Sequence, residues 1–162
     1  MEMYQDLESL PKTPIEPVAT IGNFDGVHRG HQAILAKLKE EGARLGAPTM
    51  VITFHPHPRE VLRPEAEFHA IMSLRERMRR LWDLGIDHAL VLAFDEDLAE
   101  LTATEFVEEI LWDGLRVRAM YVGRDMAIGH NREGDIRFLA SQGRRLGFTV
   151  GPVEPVYSAQ KI

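Results

Sequence analysis

Five short apolar runs alternate along the chain with longer segments in which apolar residues recur every three or four positions. The first two runs are continuous rather than alternating, which is typical of strands buried on both faces of a parallel sheet. The five runs predict strands at residues 18–21, 49–54, 89–94, 117–122 and 148–153. Because helical segments separate these runs, the pattern predicts an α/β fold, with a doubly wound parallel five-stranded sheet and helices on both faces.

The helical segments carry start and stop signals. Ser73 and Thr102 are each followed three residues later by a glutamate, which is the capping-box pattern at a helix start, and Asp135 is a further candidate N-cap. A glycine follows the apolar periodicity in three of the segments and predicts a helix end there. These signals predict helices at residues 31–45, 73–84, 102–114 and 135–146.

Length and composition limit the classes of protein to which this chain can belong. The 162 residues, 44% hydrophobic and 27% charged, predict one globular domain at 17–162, after a leader at 1–16 that has no sustained period. The formal charge of −6 argues against a nucleic-acid binder, and the absence of cysteine excludes disulfides and thiolate chemistry. No apolar run approaches the roughly 20 residues of a membrane span, and no signal peptide is recognisable. We therefore expect a cytoplasmic protein that binds neither nucleic acid nor membrane.

A glycine-bearing turn directly after the first predicted strand is the strongest candidate site. It reads G-N-F-D-G-V-H-R-G-H over residues 22–31 and leads into the first helix. The glycines allow a ligand to approach the backbone, and the amides at the helix start favour an anion. His28 and His31 add donors at the same place. The turn therefore predicts a polyphosphate site, although it is neither a Walker A loop nor a G-x-G-x-x-G fingerprint.

Two further motifs follow the ends of other predicted strands. T-F-H-P-H-P occupies residues 53–58, and V-G-R-D at 122–125 is followed by R-E-G-D at 132–135. Ligands of doubly wound sheets bind outside the carboxyl ends of the strands. We therefore expect the three loops to meet at one edge of the sheet.

These motifs together resemble a known family. The string at 22–31 is similar to the nucleotide-binding signature of the H-x-G-H nucleotidyltransferases, in the variant found in bacterial FAD synthetases, and the two later motifs also fit. The resemblance covers about residues 17–155. It implies a Rossmann-like fold and transfer of AMP from ATP to FMN, giving FAD and pyrophosphate. It also implies Mg²⁺ bridged mainly by the substrate phosphates, without a metal site of the protein, and a riboflavin kinase domain in the full-length parent protein.

The resemblance also implies roles for individual residues. Catalysis would involve His28, His31 and Asp125. The nucleotide would be bound by Gly22, Asn23, Phe24, Asp25, Gly26, His28, Gly30 and His31. The flavin or another acceptor would be bound by Pro56, His57, Pro58, Asp125, Met126, Ile128 and Arg132.

The residues themselves leave alternatives open. Asp25 could simply close its turn by accepting backbone N–H groups, Asp125 could cap a turn, and Arg132 could be a solvated surface charge. The histidines at 28, 31, 55 and 57 could together form a zinc site. The prolines beside the histidines at 55 and 57 favour a rigid loop wall instead of a metal site. We therefore expect a transferase rather than a zinc protein.

The chain departs from the family pattern at two places. Family members commonly read G-x-[DN]-F-x-F-G after the fourth predicted strand, whereas this chain has Met126 and Ile128 in place of the aromatic residues. Loss of aromatic contacts worth roughly 0.5–1.5 kcal/mol predicts weaker FMN binding. The family's I-S-S-T-x-[IV]-R motif would begin about where the chain ends. Two alternatives therefore stay open: an H-x-G-H transferase for another phosphorylated acceptor, and a catalytically weak nucleotide- or flavin-binding module.

Overall fold

A computed structural model describes residues 1–24, 29–56 and 72–154. Its sheet has six parallel strands in the order β1-β4-β3-β2-β5-β6. The strands are β1 (Glu2–Tyr4), β2 (Val18–Ile21), β3 (Thr49–Phe54), β4 (His88–Leu92), β5 (Ala119–Gly123) and β6 (Thr149–Val153).

The helices lie between these strands in sequence. They are α1 (Arg29–Leu45), α2 (Leu74–Asp83), α3 (Glu96–Glu100), α4 (Ala103–Phe106) and α5 (Ile136–Leu146). A π-helix, Val107–Gly114, continues α4, and a single 3₁₀ turn, His130–Arg132, precedes α5. None of the helices in the described ranges has the length and apolar character of a membrane-spanning helix.

Successive residues of the central strands pack into two separate cores, one on each face of the sheet. Val51 of β3 packs in a cluster with Leu38 of α1 and Leu81 of α2. The next residue, Ile52, packs in the other cluster with Leu111 of the π-helix. Side chains of a strand point alternately to its two faces, so both faces are covered by helices. The predicted doubly wound parallel sheet is confirmed.

The predicted count of five strands was wrong, because β1 adds a sixth. Glu2, Met3 and Tyr4 pair in parallel with β4 at the edge of the sheet. Glu2 and Met3 are exposed and only Tyr4 is half-buried, so these residues carry no continuous apolar run. Backbone pairing to β4 defines this strand, and the hydrophobic pattern does not reveal it.

The predicted helix starts are confirmed in detail. Ser73 Oγ accepts from Glu76 N, and Glu76 Oε1 accepts from Ser73 N, both at 3.1 Å. Thr102 forms the same reciprocal pair at the start of α4. Asp135 Oδ1 accepts from Phe138 N at 2.9 Å at the start of α5. These caps satisfy amides that have no partner within their own helix.

The strand order places the candidate loops side by side. β2 lies in the centre of the sheet, between β3 on one side and β5 on the other. The chain therefore runs in opposite directions across the sheet from β2, which is the switch point where doubly wound sheets bind ligands. The carboxyl ends of these three strands carry the three motifs, as expected.

Candidate functional site

The site is built where the ladder between β2 and β3 ends. Gly22 N donates to Ile52 O at 3.0 Å, which continues the ladder by one residue. Phe24 follows with a φ of 53°, a left-handed conformation that is uncommon for a bulky residue, and its ring is 1% exposed. A Cβ on Gly22 would lie 3.0 Å from Phe24 Cε2. Gly22 therefore leaves room for the buried ring, in addition to any room it leaves for a ligand.

His31 lies in the first turn of α1, against this buried ring. The centroids of the Phe24 and His31 rings are 4.6 Å apart, and the imidazole is half-buried. The first turn of α1 contains no acidic residue. A helix start without a carboxylate is suited to a phosphate group, because the helix dipole favours an anion there. Gly30 contributes backbone to this turn, whereas Asp25, Gly26 and His28 lie outside the described residues.

The loop after β3 is described only at its beginning. His55 is exposed and its N–H donates to Leu92 O at 3.0 Å, so it still belongs to the ladder with β4. Pro56 is half-buried. His57 and Pro58 lie outside the described residues. The four-histidine zinc site includes two such residues and stays a prediction; within the described ranges no three His, Cys, Asp or Glu side chains form a metal-binding group.

The loop between β5 and α5 brings Asp125 close to α1. A Cβ on Gly123 would lie 3.2 Å from Asp125 Oδ1 and 3.9 Å from Ile34 Cδ1. Ile34 is one helical turn after His31, and residues three apart are neighbours on a helix surface. The exposed Asp125 carboxylate and the His31 imidazole thus lie on neighbouring elements at the same edge.

The other predicted acceptor residues in this loop have different environments. Met126 is half-buried and packs against the core, whereas Ile128 is 5% exposed and belongs to the core. Ile128 also forms an isolated bridge with Gly134, through two backbone hydrogen bonds of 2.8 and 2.9 Å. Arg132 is exposed, has a φ of 54°, and its Nη2 donates to Asp125 O at 3.4 Å.

The R-E-G-D motif fixes this loop to the start of α4. Glu133 Oε1 accepts from Ala103 N at 2.8 Å, which satisfies an amide in the first turn of α4. A Cβ on Gly134 would lie 2.7 Å from Ala103 Cβ, so only glycine allows this contact without displacement. Asp135 then caps α5. The sequence indicated only the cap, because the other two contacts join residues some 30 positions apart.

A second network joins α1 to β5 on the flank of the site. Tyr121 Oη donates to Glu41 Oε1 at 2.9 Å, and Arg44 Nε donates to the same oxygen at 2.9 Å. The hydrogen bond from Arg44, followed by that from Tyr121, lowers the pKa of Glu41 from 4.5 to about 2. Glu41 therefore stays ionised at neutral pH and holds the helix that carries His31 against the sheet.

Comparison with known proteins identifies the family of the chain. The family model described as FAD synthetase matches residues 10–162.

The chain belongs to the FAD synthetase family. Among its curated relatives, a bifunctional riboflavin kinase/FMN adenylyltransferase of Pseudomonas fluorescens is 45% identical over 156 residues, which are 96% of this chain and 50% of the relative. The protein of the same description from Escherichia coli K12 is 40% identical over 151 residues, covering 93% of this chain and 48% of the relative. The chain spans about half the length of these relatives.

Solved structures with the same fold are more distant in sequence. One is described as a macrolide-efflux protein from Streptococcus pneumoniae and matches with a TM-score of 0.80 at 24% identity, over 98% of this chain and 52% of that one. A pantoate-beta-alanine ligase from Francisella tularensis matches with a TM-score of 0.59 at 13% identity, over 99% and 72%. At these identities the likeness concerns the fold alone. The string at 22–31 predicted membership of the FAD synthetase family, and the family match confirms it.

The motifs did not reveal Arg77, a buried arginine beside the candidate site. It lies on α2 and is 5% exposed, and its guanidinium contacts the ends of both β2 and β3. A weak signal exists in the sequence. Arg77 is three residues after Leu74 and four before Leu81, so helical periodicity places it on the apolar face of its helix.

Proposed function

We propose that this chain is the FMN adenylyltransferase domain of a FAD synthetase, which converts ATP and FMN into FAD and pyrophosphate. The observation that carries the proposal is the turn at 22–31, with its H-x-G-H ending, located at the switch point of a chain that belongs to this family. The transferase domain would comprise residues 17–162 together with β1, which pairs with β4 in the same sheet. In the longer protein a riboflavin kinase domain would accompany it, as in the printed descriptions of the relatives.

The reaction needs no covalent enzyme intermediate. A phosphate oxygen of FMN attacks the α-phosphorus of ATP, a new P–O bond forms, and the bond to the β-phosphate oxygen breaks as pyrophosphate leaves. Catalysis then consists of positioning and of stabilising charge on the α-phosphate and pyrophosphate. His28 and His31 would donate to these phosphates together with the amides at the start of α1. The turn residues Gly22 to Gly26 would line the nucleotide.

Mg²⁺ is the metal that this chemistry implies, and the donor set fits it. Among the described residues no His, Cys, Asp and Glu side chains form a protein cage, and Asp125 is an exposed carboxylate at the edge. Mg²⁺ is commonly held by one or two carboxylates and by substrate phosphates. Asp125 would supply a carboxylate oxygen, and the bound ion would neutralise phosphate charge. The substrate phosphates would supply most of the ligands of the ion, and the protein would add this one carboxylate.

The acceptor would lie between the loops after β3 and β5. Pro56, His57 and Pro58 would form one wall, and Met126 and Arg132 would contact the flavin and its phosphate. ATP and FMN would be the small-molecule partners, without a nucleic acid. The cytoplasm, where ATP is available, would be the compartment.

Titration of this chain with ATP and Mg²⁺ and with FMN separately, followed by an assay for FAD, tests the proposal. Binding of both substrates with formation of FAD supports it. His31→Gln should abolish the product while the chain stays folded. Glu40→Gln, on the exposed part of the same helix, is the matched control and should leave the rate unchanged. Binding of both substrates without product contradicts the proposed activity and supports a catalytically weak binding module.

A second candidate is transfer to another phosphorylated acceptor. The observation that favours it is the position of Ile128, which is 5% exposed in the core, together with Met126 in place of an aromatic residue. Neither side chain offers a ring that could stack on a flavin. Binding of ATP without binding of FMN would support this candidate and exclude the first.

A further inference from the structure

Arg77 is a buried arginine whose guanidinium joins two strand ends. Nη1 donates to Asn23 O at 2.6 Å and to Thr53 Oγ1 at 2.9 Å, and Nη2 donates to Phe54 O at 3.1 Å. Burial of a charged group is unfavourable unless hydrogen bonds satisfy it. The planar guanidinium, with five N–H donors in a fixed geometry, can reach acceptors on β3 and on the turn after β2 at once.

The carbonyl of Asn23 is the central acceptor in this network. It receives the Arg77 donor and also the hydroxyl of Thr53, whose Oγ1 donates at 3.0 Å from a fully buried side chain. Two donors on one carbonyl fix the orientation of the peptide between Asn23 and Phe24. Phe24 has its left-handed φ immediately after this peptide. Such a conformation persists only where the surroundings over-determine it, and these two donors do so.

The contacts continue from this peptide to His31. The ring of Phe24 is 1% exposed and lies 4.6 Å from the His31 ring, centroid to centroid. A change at the Asn23 carbonyl would therefore move the Phe24 ring and the imidazole that packs on it. We infer that Arg77 is a positioning residue, which sets the turn after β2 and, through Phe24, the location of the His31 imidazole. The catalytic meaning of that location depends on the proposed function.

A purely structural role for Arg77 makes different predictions. An arginine that only joins α2 to the sheet would change the stability of the fold without changing His31 in the folded protein. A positioning residue changes the environment of His31 and the rate of the chemical step at temperatures where the variant is fully folded. Misplacement by about 1 Å can reduce a rate about a hundredfold.

The test compares Arg77→Met, Arg77→Lys and the control Arg79→Met, a change at a side chain that is 80% exposed on the same helix. Two quantities are measured on the folded chain: the ¹H–¹³C resonances of the His31 ring, identified with His31→Gln, and kcat and KM for FAD formation. We expect Arg77→Met to shift the His31 resonances and to lower kcat about tenfold to a hundredfold, with KM changed much less. Arg77→Lys should restore part of both, and Arg79→Met should change neither.

Unchanged His31 resonances and unchanged kcat in folded Arg77→Met would overturn the inference. If Arg77→Met does not fold, Thr53→Val removes the other donor to the Asn23 carbonyl and decides in its place: shifted His31 resonances support the inference, and unshifted ones overturn it. The spectroscopic measurement needs no turnover. A chain that makes no FAD would therefore contradict the proposed function and leave the inference about Arg77 fully testable.

Discussion

The contact between Gly134 and Ala103 predicts a sharp response to one added methyl group. In Gly134→Ala the new Cβ would lie 2.7 Å from Ala103 Cβ, 2.9 Å from Ile128 Cγ1 and 3.0 Å from Ile128 O. Gly134 has no left-handed φ, so steric overlap is the whole effect. The contact with Ala103 joins the loop after β5 to α4, and the two contacts with Ile128 lie within that loop, across its bridge with Gly134. Relief of the overlap must therefore move the loop away from α4 and disturb this bridge.

The expected loss of stability follows from the cost of overpacking. Adding a methyl group to a filled site typically costs about 1–3 kcal/mol. In a chain of this length each kcal/mol lowers the unfolding temperature by about 2–4 °C, so Gly134→Ala should lower it by about 2–12 °C. Ala103→Gly alone should cost up to about 1 kcal/mol through helix propensity. The double variant removes the nearest overlap and should recover part of the loss.

Thermal unfolding of the four proteins in this cycle is the assay. Gly46→Ala is a contrasting variant: Gly46 has a φ of +66° and open space around it, so its loss of stability reports backbone strain without overlap, whereas Gly134→Ala reports overlap without strain. The coupling between Gly134 and Ala103 should be favourable, within the range of about 0.5–3 kcal/mol for residues in contact. Strictly additive effects in the cycle, or an unfolding temperature unchanged in Gly134→Ala, would refute the reasoning.

Three further predictions concern other parts of the site. Met126→Phe should tighten FMN binding about 2- to 10-fold in a calorimetric titration, because it restores an aromatic contact; unchanged affinity would show that residue 126 does not reach the flavin. Glu133→Ala removes the acceptor for Ala103 N and should cost about 0.5–2 kcal/mol in denaturant unfolding, whereas no loss would contradict the capping role. The pKa of Glu41 is lowered from 4.5 to about 2, so its pairing with Arg44 stabilises the fold above pH 4.5 and is lost as the pH falls toward 2. The stability of Glu41→Gln should therefore fall less steeply than that of the unchanged protein as the pH is lowered from 5 to 2. An identical pH dependence of the two stabilities would contradict this.

The strands that the sequence predicted best are those buried on both faces. Residues 49–54 form a continuous apolar run, and they form β3 with the same boundaries. The strand at 2–4 could not be predicted in this way, because two of its three residues are exposed and backbone pairing alone defines it. The capping box and the final glycine predicted one helix at 102–114. The change from α-helix to π-helix at Val107 could not be predicted, because it leaves the apolar pattern almost unchanged.

The candidate site also has a part that could be predicted from the sequence and a part that could not. The turn at 22–31 is continuous in sequence, so its glycines and histidines could be recognised together. The network around Arg77 and the contact of Gly134 with Ala103 join residues from distant parts of the chain. A charged residue in a helix is usually solvated, and the buried position of Arg77 becomes apparent only when its acceptors on β3 and on the turn after β2 are known. The roles of His28, His57 and the other residues outside the described ranges stay predictions.

Strand β1 also bears on how copies of this protein behave in concentrated solution. β4 has the sequence H-A-L-V-L, and an apolar strand with free amides and carbonyls along one side is a template for intermolecular pairing and aggregation. By pairing with His88, Ala89 and Leu90, Glu2 to Tyr4 cover three of the five residues of that side and present a three-residue edge that begins with a carboxylate. Short, charged edges resist intermolecular pairing. Removal of residues 2–4 should therefore increase aggregation of the protein more than the small apolar surface that β1 buries would suggest.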